Sequence, residues 1–259
     1  MKFNREDRCR LNLEFFIARR TARTSPENRP GVMSRIAVVS VAVSVAVMLV
    51  ALAVILGFKR EVTARMVGFS APVEVIDGAG IYAAESRPVA ATARFEALLR
   101  TVDGVQRATP YAVKSGIVRT RDAMEGVALK GVDGSYDWSF FAGRLTEGRL
   151  PRVGDSLRTK ELLLSARTAR LLGVHAGDKV EMLFVAGDER PRRDRFKVSG
   201  LYSTGMEELE RTALTDLRNV QRLNGWDSTQ VSGFELRTTD FSHLDRFTDD
   251  VYRAVVEHQ

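Results

Sequence analysis

The sequence predicts an α+β domain carried behind a single membrane-spanning helix. Three observations carry that prediction. Ile36 to Phe58 is a run of 23 residues without a charge. The roughly 200 residues that follow interleave short alternating segments with amphipathic ones. A hydrophobic content of 44% is ample for a packed core and excludes a mostly disordered chain.

The elements follow in order. Residues 1–35 form a basic leader. Within it, Leu11 to Arg23 sets Phe15, Phe16 and Ile17 beside Arg19, Arg20 and Arg23, which suits a short helix lying in the headgroup layer. Ser25-Pro26 and Arg29-Pro30-Gly31 break the chain before the apolar run. At 1.5 Å per residue a helix over 36–58 spans roughly 34 Å, against a hydrocarbon thickness of about 30 Å. A cleaved signal peptide does not fit. Its small-x-small signature, Ala51-x-Ala53, lies inside the run, and a 35-residue leader precedes it.

Beyond the span, residues 59–259 read as the α+β domain. Pro72 to Asp77 alternates as a strand, and Thr92 to Val102 carries helical spacing ended by Asp103-Gly104. Val105 to Thr120 reads as two strands and Glu125 to Val132 as another. Tyr136 to Phe141 is a short aromatic helix or turn. Glu161 to Leu164 is a strand, and Ser165 opens a helix that Gly173 stops. Lys179 to Val185 and Arg195 to Tyr202 form a hairpin joined by a polar connection. Asp216 caps a helix through Leu223, Val231 to Arg237 is a strand, and Ser242 caps a closing helix.

Charge orients the chain. Residues 1–35 hold nine Lys/Arg against four acids, the span holds none, and 30 bases face 29 acids beyond it. The positive leader belongs in the cytoplasm and the domain outside it. The domain has no basic excess to neutralise phosphates, so no nucleic-acid partner is expected. Membrane lipids are expected around the span.

No catalytic chemistry is evident. A single cysteine, Cys9, excludes a disulfide framework. His175, His243 and His258 have no second ligand at metal spacing. GxSxG, GxxxxGK[ST] and a strand-borne GxGxxG are absent. Glu207, Glu208 and Glu210 read as a solvated face, and Trp138, Phe140 and Phe141 as core. No enzyme, metal or cofactor is expected.

Two small-residue faces mark the span. Ala37, Ser40, Ser44 and Ala51 fall on one side of the helical wheel, and Ala42, Ala46, Ala53 and Gly57 nearly opposite. Small residues let helices approach closely within a bilayer, so these faces are the expected helix-packing residues.

The leader motif FFIARR, the span and GFKREVTARMVGFSAPVEV (57–75) resemble the start of permease subunits of lipoprotein-releasing (LolC/LolE-like) and MacB-like (FtsX-like) ABC transporters. GRLTEGRLP (143–151), ELLLSARTARLLGVHAGDKVEMLF (161–184) and RFKVSGLYSTGMEELERT (195–212) resemble the core of the same family's periplasmic domain. The resemblance runs in order from about Leu11 to the end. It implies a MacB-like periplasmic core of two subdomains, one from about 70–130 plus 215–258 and the other inserted at about 131–214. It also implies a turn at the end of the first span, near Gly57-Phe58, before a further helix.

Its further implications are functional. The chain would sit in a bacterial inner membrane, N-terminus in the cytoplasm and main domain in the periplasm. Partners would be a cytoplasmic ABC ATPase, which alone binds ATP, and a second permease copy or paralogue. ATP-driven closure would pass along the first span to reshape the periplasmic domain. Three further spans would follow, so this chain reads as the N-terminal part of a permease.

One departure bears on partners. The family member that recruits a periplasmic lipoprotein carrier has a long hairpin where this chain has only Ala186 to Asp194. That speaks against carrier capture and fits a non-recruiting subunit or a homodimeric relative. The connection still holds Arg190, Pro191, Arg192 and Arg193, read as a partner contact in which arginines meet carboxylates. The alternative function is a single-span membrane-anchored sensor or scaffold, with a membrane-tethered enzyme a third reading.

Overall fold

The computed structural model describes residues 16–17, 32–78, 86–154, 157–184, 191–238 and 243–257. The basic leader, Cys9, Arg190, Ser242 and His258 lie outside the described residues. Of the expected headgroup-layer helix only Phe16 and Ile17 are described, both helical and exposed.

The apolar run forms one helix, α1, over Val32–Phe69, 38 residues long. Within it, Arg35–Phe58 is long and apolar enough to cross a membrane. The turn implied at Gly57-Phe58 is not there. Residues 59–69 continue the helix with no proline to stop it and no residue with a positive φ along it. The chain divides into two compact units, 1–62 and 63–259.

The second unit has the elements β1 (Val73–Ile76), β2 (Val89–Ala90), α2 (Ala93–Thr101), β3 (Arg107–Arg119), β4 (Met124–Val132), α3 (Ser139–Ala142), β5 (Leu145–Gly148), β6 (Glu161–Ser165), α4 (Ala166–Leu172), β7 (Lys179–Phe184), β8 (Arg192–Tyr202), β9 (Thr212–Asp216), α5 (Leu217–Asn224), β10 (Gln230–Val231), β11 (Gly233–Arg237) and α6 (Leu244–Val256). Helix ends follow local chemistry. Thr92 caps α2, Ser165 caps α4 and Asp216 caps α5, each accepting a backbone N–H from its first turn. Gly173 ends α4 at φ 67°, a left-handed position that glycine takes without a Cβ penalty. The residue before α6 is His243, which makes no side-chain cap.

Among the described residues nine strands join in one sheet, and six of them form a closed ring. β3 pairs with β4, β4 with β9, β9 with β6, β6 with β8, β8 with β7, and β7 again with β3. One face of these strands, including Val118, Leu129, Leu162, Leu164, Met182, Phe184, Phe196 and Val198, shares an apolar cluster with Ala169 and Leu172 of α4 and Val220 and Leu223 of α5. The opposite parity of β6 and β9, Leu163 and Leu214, packs with Phe69, Tyr136, Phe140, Phe141 and Tyr202. A third cluster joins Val75, Leu99, Phe234, Leu236, Phe247 and Val251. The sheet runs without a break past residue 130, inside β4, and past residue 214, inside β9.

β3 corrects one expectation: within Val105 to Thr120 lies a single strand of 13 residues, Arg107–Arg119, rather than two. Pro110 misleads because proline usually interrupts a strand. Here β4 begins pairing only at Tyr111, opposite Val132, so the donor that Pro110 lacks has no strand to meet on that side. β3 also divides one edge between two partners. Residues 107–111 pair with β11 and 117–119 with β7. Between them the Ser232 hydroxyl accepts the Val113 N–H at 2.8 Å, and the Asn224 amide donates to the Val113 carbonyl at 3.4 Å. The same Ser232 splits the expected Val231–Arg237 strand into β10 and β11. Strand β5, within the GRLTEGRLP segment, carries no alternation pattern that predicts it.

Candidate functional site

The sequence-predicted packing residues Ala37, Ser40, Ala42, Ser44, Ala46, Ala51, Ala53 and Gly57 all lie on α1, and those of 35–58 are all exposed. The Ser44 hydroxyl turns back to the Ser40 carbonyl at 2.9 Å. This satisfies the Ser44 hydroxyl within its own helix.

The predicted partner contact resolves into residues with different roles. Arg190 lies outside the described residues, and Pro191 is exposed. β8 begins at Arg192, three residues earlier than the pattern suggested, so Arg192, Arg193 and Asp194 are strand rather than connection. Side chains alternate. Arg192 donates to the Leu223 carbonyl at the end of α5, 3.2 Å away. Asp194 is buried, pairs with Lys160, and stands 3.5 Å from Arg222. Arg193, Arg195 and Lys197 point to the other, exposed face. Arg195 is opposite Glu181 across the hairpin, and Glu181 pairs with Arg119 at 3.4 Å. Together with Arg121, Asp122, Lys179 and Met124, these residues border an open groove of about 780 Å³. The sequence pattern does not single out the strand-borne cations Arg195, Lys197 and Lys179, which it shows only as alternation within a hairpin.

A second site was not anticipated. The last turn of α1 ends in a socket. Phe69 packs edge-on to Phe140 at 6.1 Å and tilted against Phe141 at 5.7 Å, and Phe141 meets Tyr202 edge-to-face at 5.0 Å. Such pairs add about 0.5–1.5 kcal/mol each beyond their buried area. A Cβ on Gly68 would collide with the Phe140 ring, so glycine is what lets this ring lie against the helix backbone. Arg237 reaches the Gly68 carbonyl at 3.4 Å and stands 3.7 Å from Asp137. Backbone and side-chain hydrogen bonding from Ser139 holds the Asp137 carboxyl below its usual pKa, with Arg237 and Arg107 adding to the effect.

Beside the aromatic socket is a polar one. Lys130 and Glu235, 7% and 2% exposed, form an ion pair at 2.5 Å. The Lys130 ammonium sits 5.3 Å from the Tyr111 ring centre and 5.6 Å from that of Tyr136, within cation–π range. Glu74 faces Glu235 across the β1–β11 pair and accepts the Tyr111 hydroxyl at 2.8 Å. Burial first, then the Glu74 charge and hydrogen bond, push the Tyr111 phenol far above its usual pKa, so it remains a donor. Ser70, directly after α1, reaches Glu74 at 3.0 Å and Glu235 at 3.1 Å.

Trp138 is half-buried against Tyr136 and Phe141, and Phe140 and Phe141 are buried. One acid departs from the expected solvated face. Glu207 and Glu208 are exposed, but Glu210 is buried and accepts from the Ser203 hydroxyl and the Thr204 and Gly205 N–H groups. Its fixed partners belong to the chain itself, a structural arrangement. Among the described residues no group of three metal-ligating side chains occurs.

Known proteins supply the context for this geometry. The family model of the MacB-like periplasmic core domain matches residues 34–253. The lipoprotein-releasing system transmembrane protein LolC of Xylella fastidiosa (strain Temecula1) is 28% identical over 221 residues, covering 82% of this chain and 50% of that protein. LolC of Neisseria meningitidis serogroup B is 26% identical over 251 residues, covering 89% and 55%. The chain thus spans about half the length of the curated relatives it matches. Among solved structures, the periplasmic region of MacB from Actinobacillus actinomycetemcomitans aligns at a TM-score of 0.49 and 16% identity, over 74% of this chain and 86% of that one.

Proposed function

The chain belongs to the MacB-like periplasmic core domain family, and from that premise we propose that it is the N-terminal part of an ABC transporter permease that releases lipoproteins from the inner membrane. The observation that carries the reading is that one family match covers both the apolar helix and the domain behind it, from 34 to 253. The relatives' printed name, lipoprotein-releasing system transmembrane protein, supplies the cargo class.

On this reading the chain carries no reaction of its own. A separate cytoplasmic ATPase binds and hydrolyses ATP, a second permease subunit completes the membrane part, and the domain lies in the periplasm. Movement of α1 reaches the domain through the socket at Gly68, Phe69 and Ser70. A helix resists axial compression because each carbonyl is tied to an N–H one turn on, and the aromatic socket and the Lys130–Glu235 pair give its end a rigid seat. The exposed cations Arg193, Arg195 and Lys197, with Arg190 and Pro191 at the connection, form the partner contact. Arg192 supports that contact from behind rather than reaching out.

The reading is tested by reconstitution. The complete permease, its ATPase and its second subunit in proteoliposomes should release a bound lipoprotein only when ATP is hydrolysed. ATP hydrolysis without release would overturn it. The coding frame beyond Gln259 should hold three further apolar runs of about 20 residues.

A further inference from the structure

We propose that Ser70 is a two-armed latch, its single hydroxyl proton shared between Glu74 and Glu235, so that the end of α1 is tied at once to the edge strand β1 and to the buried charge pair. The two arms are nearly equal in length, 3.0 Å to Glu74 and 3.1 Å to Glu235, and both end on Oε1. A serine hydroxyl donates one hydrogen bond at a time in full strength. The proton therefore serves both carboxylates by alternation or by bifurcation.

The surroundings set up the sharing. Glu74 and Glu235 are direct cross-strand partners, a placement in which like charges repel. Lys130 compensates Glu235 alone, through the 2.5 Å pair. Tyr111 donates to the other oxygen of Glu74. Each carboxylate thus has its own fixed donor, and the Ser70 hydroxyl bridges the two. Glu74 is exposed and Glu235 buried, so the arms lead to different places. The Glu235 arm leads to Lys130 on β4 and the ring of strands; the Glu74 arm leads to β1, at the margin of the sheet. A small displacement of Ser70 shifts the sharing and with it the element that bears the load. Bistable contacts of this kind convert sub-ångström shifts into discrete changes.

As a device for transmission, the latch rests on the function proposed above. The sharing itself does not, and thermal unfolding of the full chain in detergent reads it directly. Two double-mutant cycles are needed, Ser70→Ala with Glu74→Ala and Ser70→Ala with Glu235→Asp. Asp keeps a charge beside Lys130 but withdraws the carboxylate from Ser70. Both cycles should be non-additive, with coupling equivalent to about 1–3 °C in Tm. Additivity in either cycle would leave Ser70 with one partner and overturn the latch. If Glu235→Asp does not fold, the double variant Lys130→Met/Glu235→Met removes the same arm without leaving a charge unpaired.

The reconstituted transporter gives the second measurement. Ser70→Ala should lower lipoprotein released per ATP hydrolysed about tenfold, the loss of one charge-assisted hydrogen bond, and Ser70→Thr should restore it. Wild-type coupling in Ser70→Ala would overturn the role in transmission. An inactive wild type would instead count against the proposed function, while the unfolding cycles still decide whether the hydroxyl is shared.

Discussion

Glu161 shows how much of this domain's electrostatics is set by single residues. It opens β6 and accepts Arg149 through both carboxylate oxygens, one at 2.9 Å, and the Arg152 N–H at 2.8 Å. The Arg149 hydrogen bond first, and then the Arg152 N–H, lower the Glu161 pKa. A carboxyl whose folded pKa is depressed stabilises the fold above its unfolded value, about 4.3, and loses that contribution as pH falls through the folded pKa. The wild-type domain should therefore lose stability between about pH 5 and pH 3. Glu161→Gln should flatten that part of the profile while lowering Tm at pH 7. Urea midpoints measured across pH 3–7 decide the point; parallel profiles would show that Glu161 is not the group responsible. Lys130 and Glu235 obey a different rule. Both are buried, so their pairing avoids a penalty more than it adds stability, and removing one partner costs about 3–5 kcal/mol.

At the scale of elements, α1 and β3 each carry two duties. β3 is the spine on which β11 and β7 hang from the same edge, and Gly116 is where the Phe184 ring lies against it: a Cβ there would stand 2.6 Å from that ring. α1 is an apolar helix long enough to cross a membrane and then, without a break, the segment that ends in the socket. The two small-residue faces of its span remain our proposal for helix packing. Leucine at position 44 or 46 favours insertion by about 0.3–0.6 kcal/mol but fills the space a neighbouring helix would use. Ser44→Leu and Ala46→Leu should leave membrane insertion intact and reduce co-purification of the second permease subunit. Unchanged co-purification in both variants would mark the faces as tolerated rather than used.

For the whole molecule, the nine-stranded sheet explains why residues 63–259 form one compact unit although their apolar residues fall into three clusters. Closure removes free edges from six strands and ties residues 107–132 to 161–216 by hydrogen bonds. At the start of β4, Met124 is 64% exposed. That side chain offers a test of orientation, which rests on the basic leader. A cysteine at Met124 should react with an impermeant maleimide in intact spheroplasts, and native Cys9 should not. The reverse labelling would invert the topology.

The sequence alone determined the span, the α+β class and most helix boundaries, because these depend on local physics: an uninterrupted apolar length, periodicity, and caps such as Thr92, Ser165, Asp216 and Gly173 that act within a turn of themselves. It also held the family, through segments matched in order. Tertiary structure decided what depends on residues far apart in the chain. Pro110 could stay within a strand only because β4 stops one residue short of it. Glu210 looked like its exposed neighbours until the 203–205 backbone folded over it. Arg192 and Arg193 look alike in sequence, and only the register of β8 turns one toward α5 and the other outward. The socket was least legible of all. Ser70, Glu74, Tyr111, Lys130 and Glu235 span 165 residues, and no local pattern links a serine after a helix to a lysine and a glutamate on distant strands. Their meeting follows from the side-by-side order β1–β11–β3–β4 in the sheet, which sets their spacing by hydrogen-bond register rather than by sequence distance.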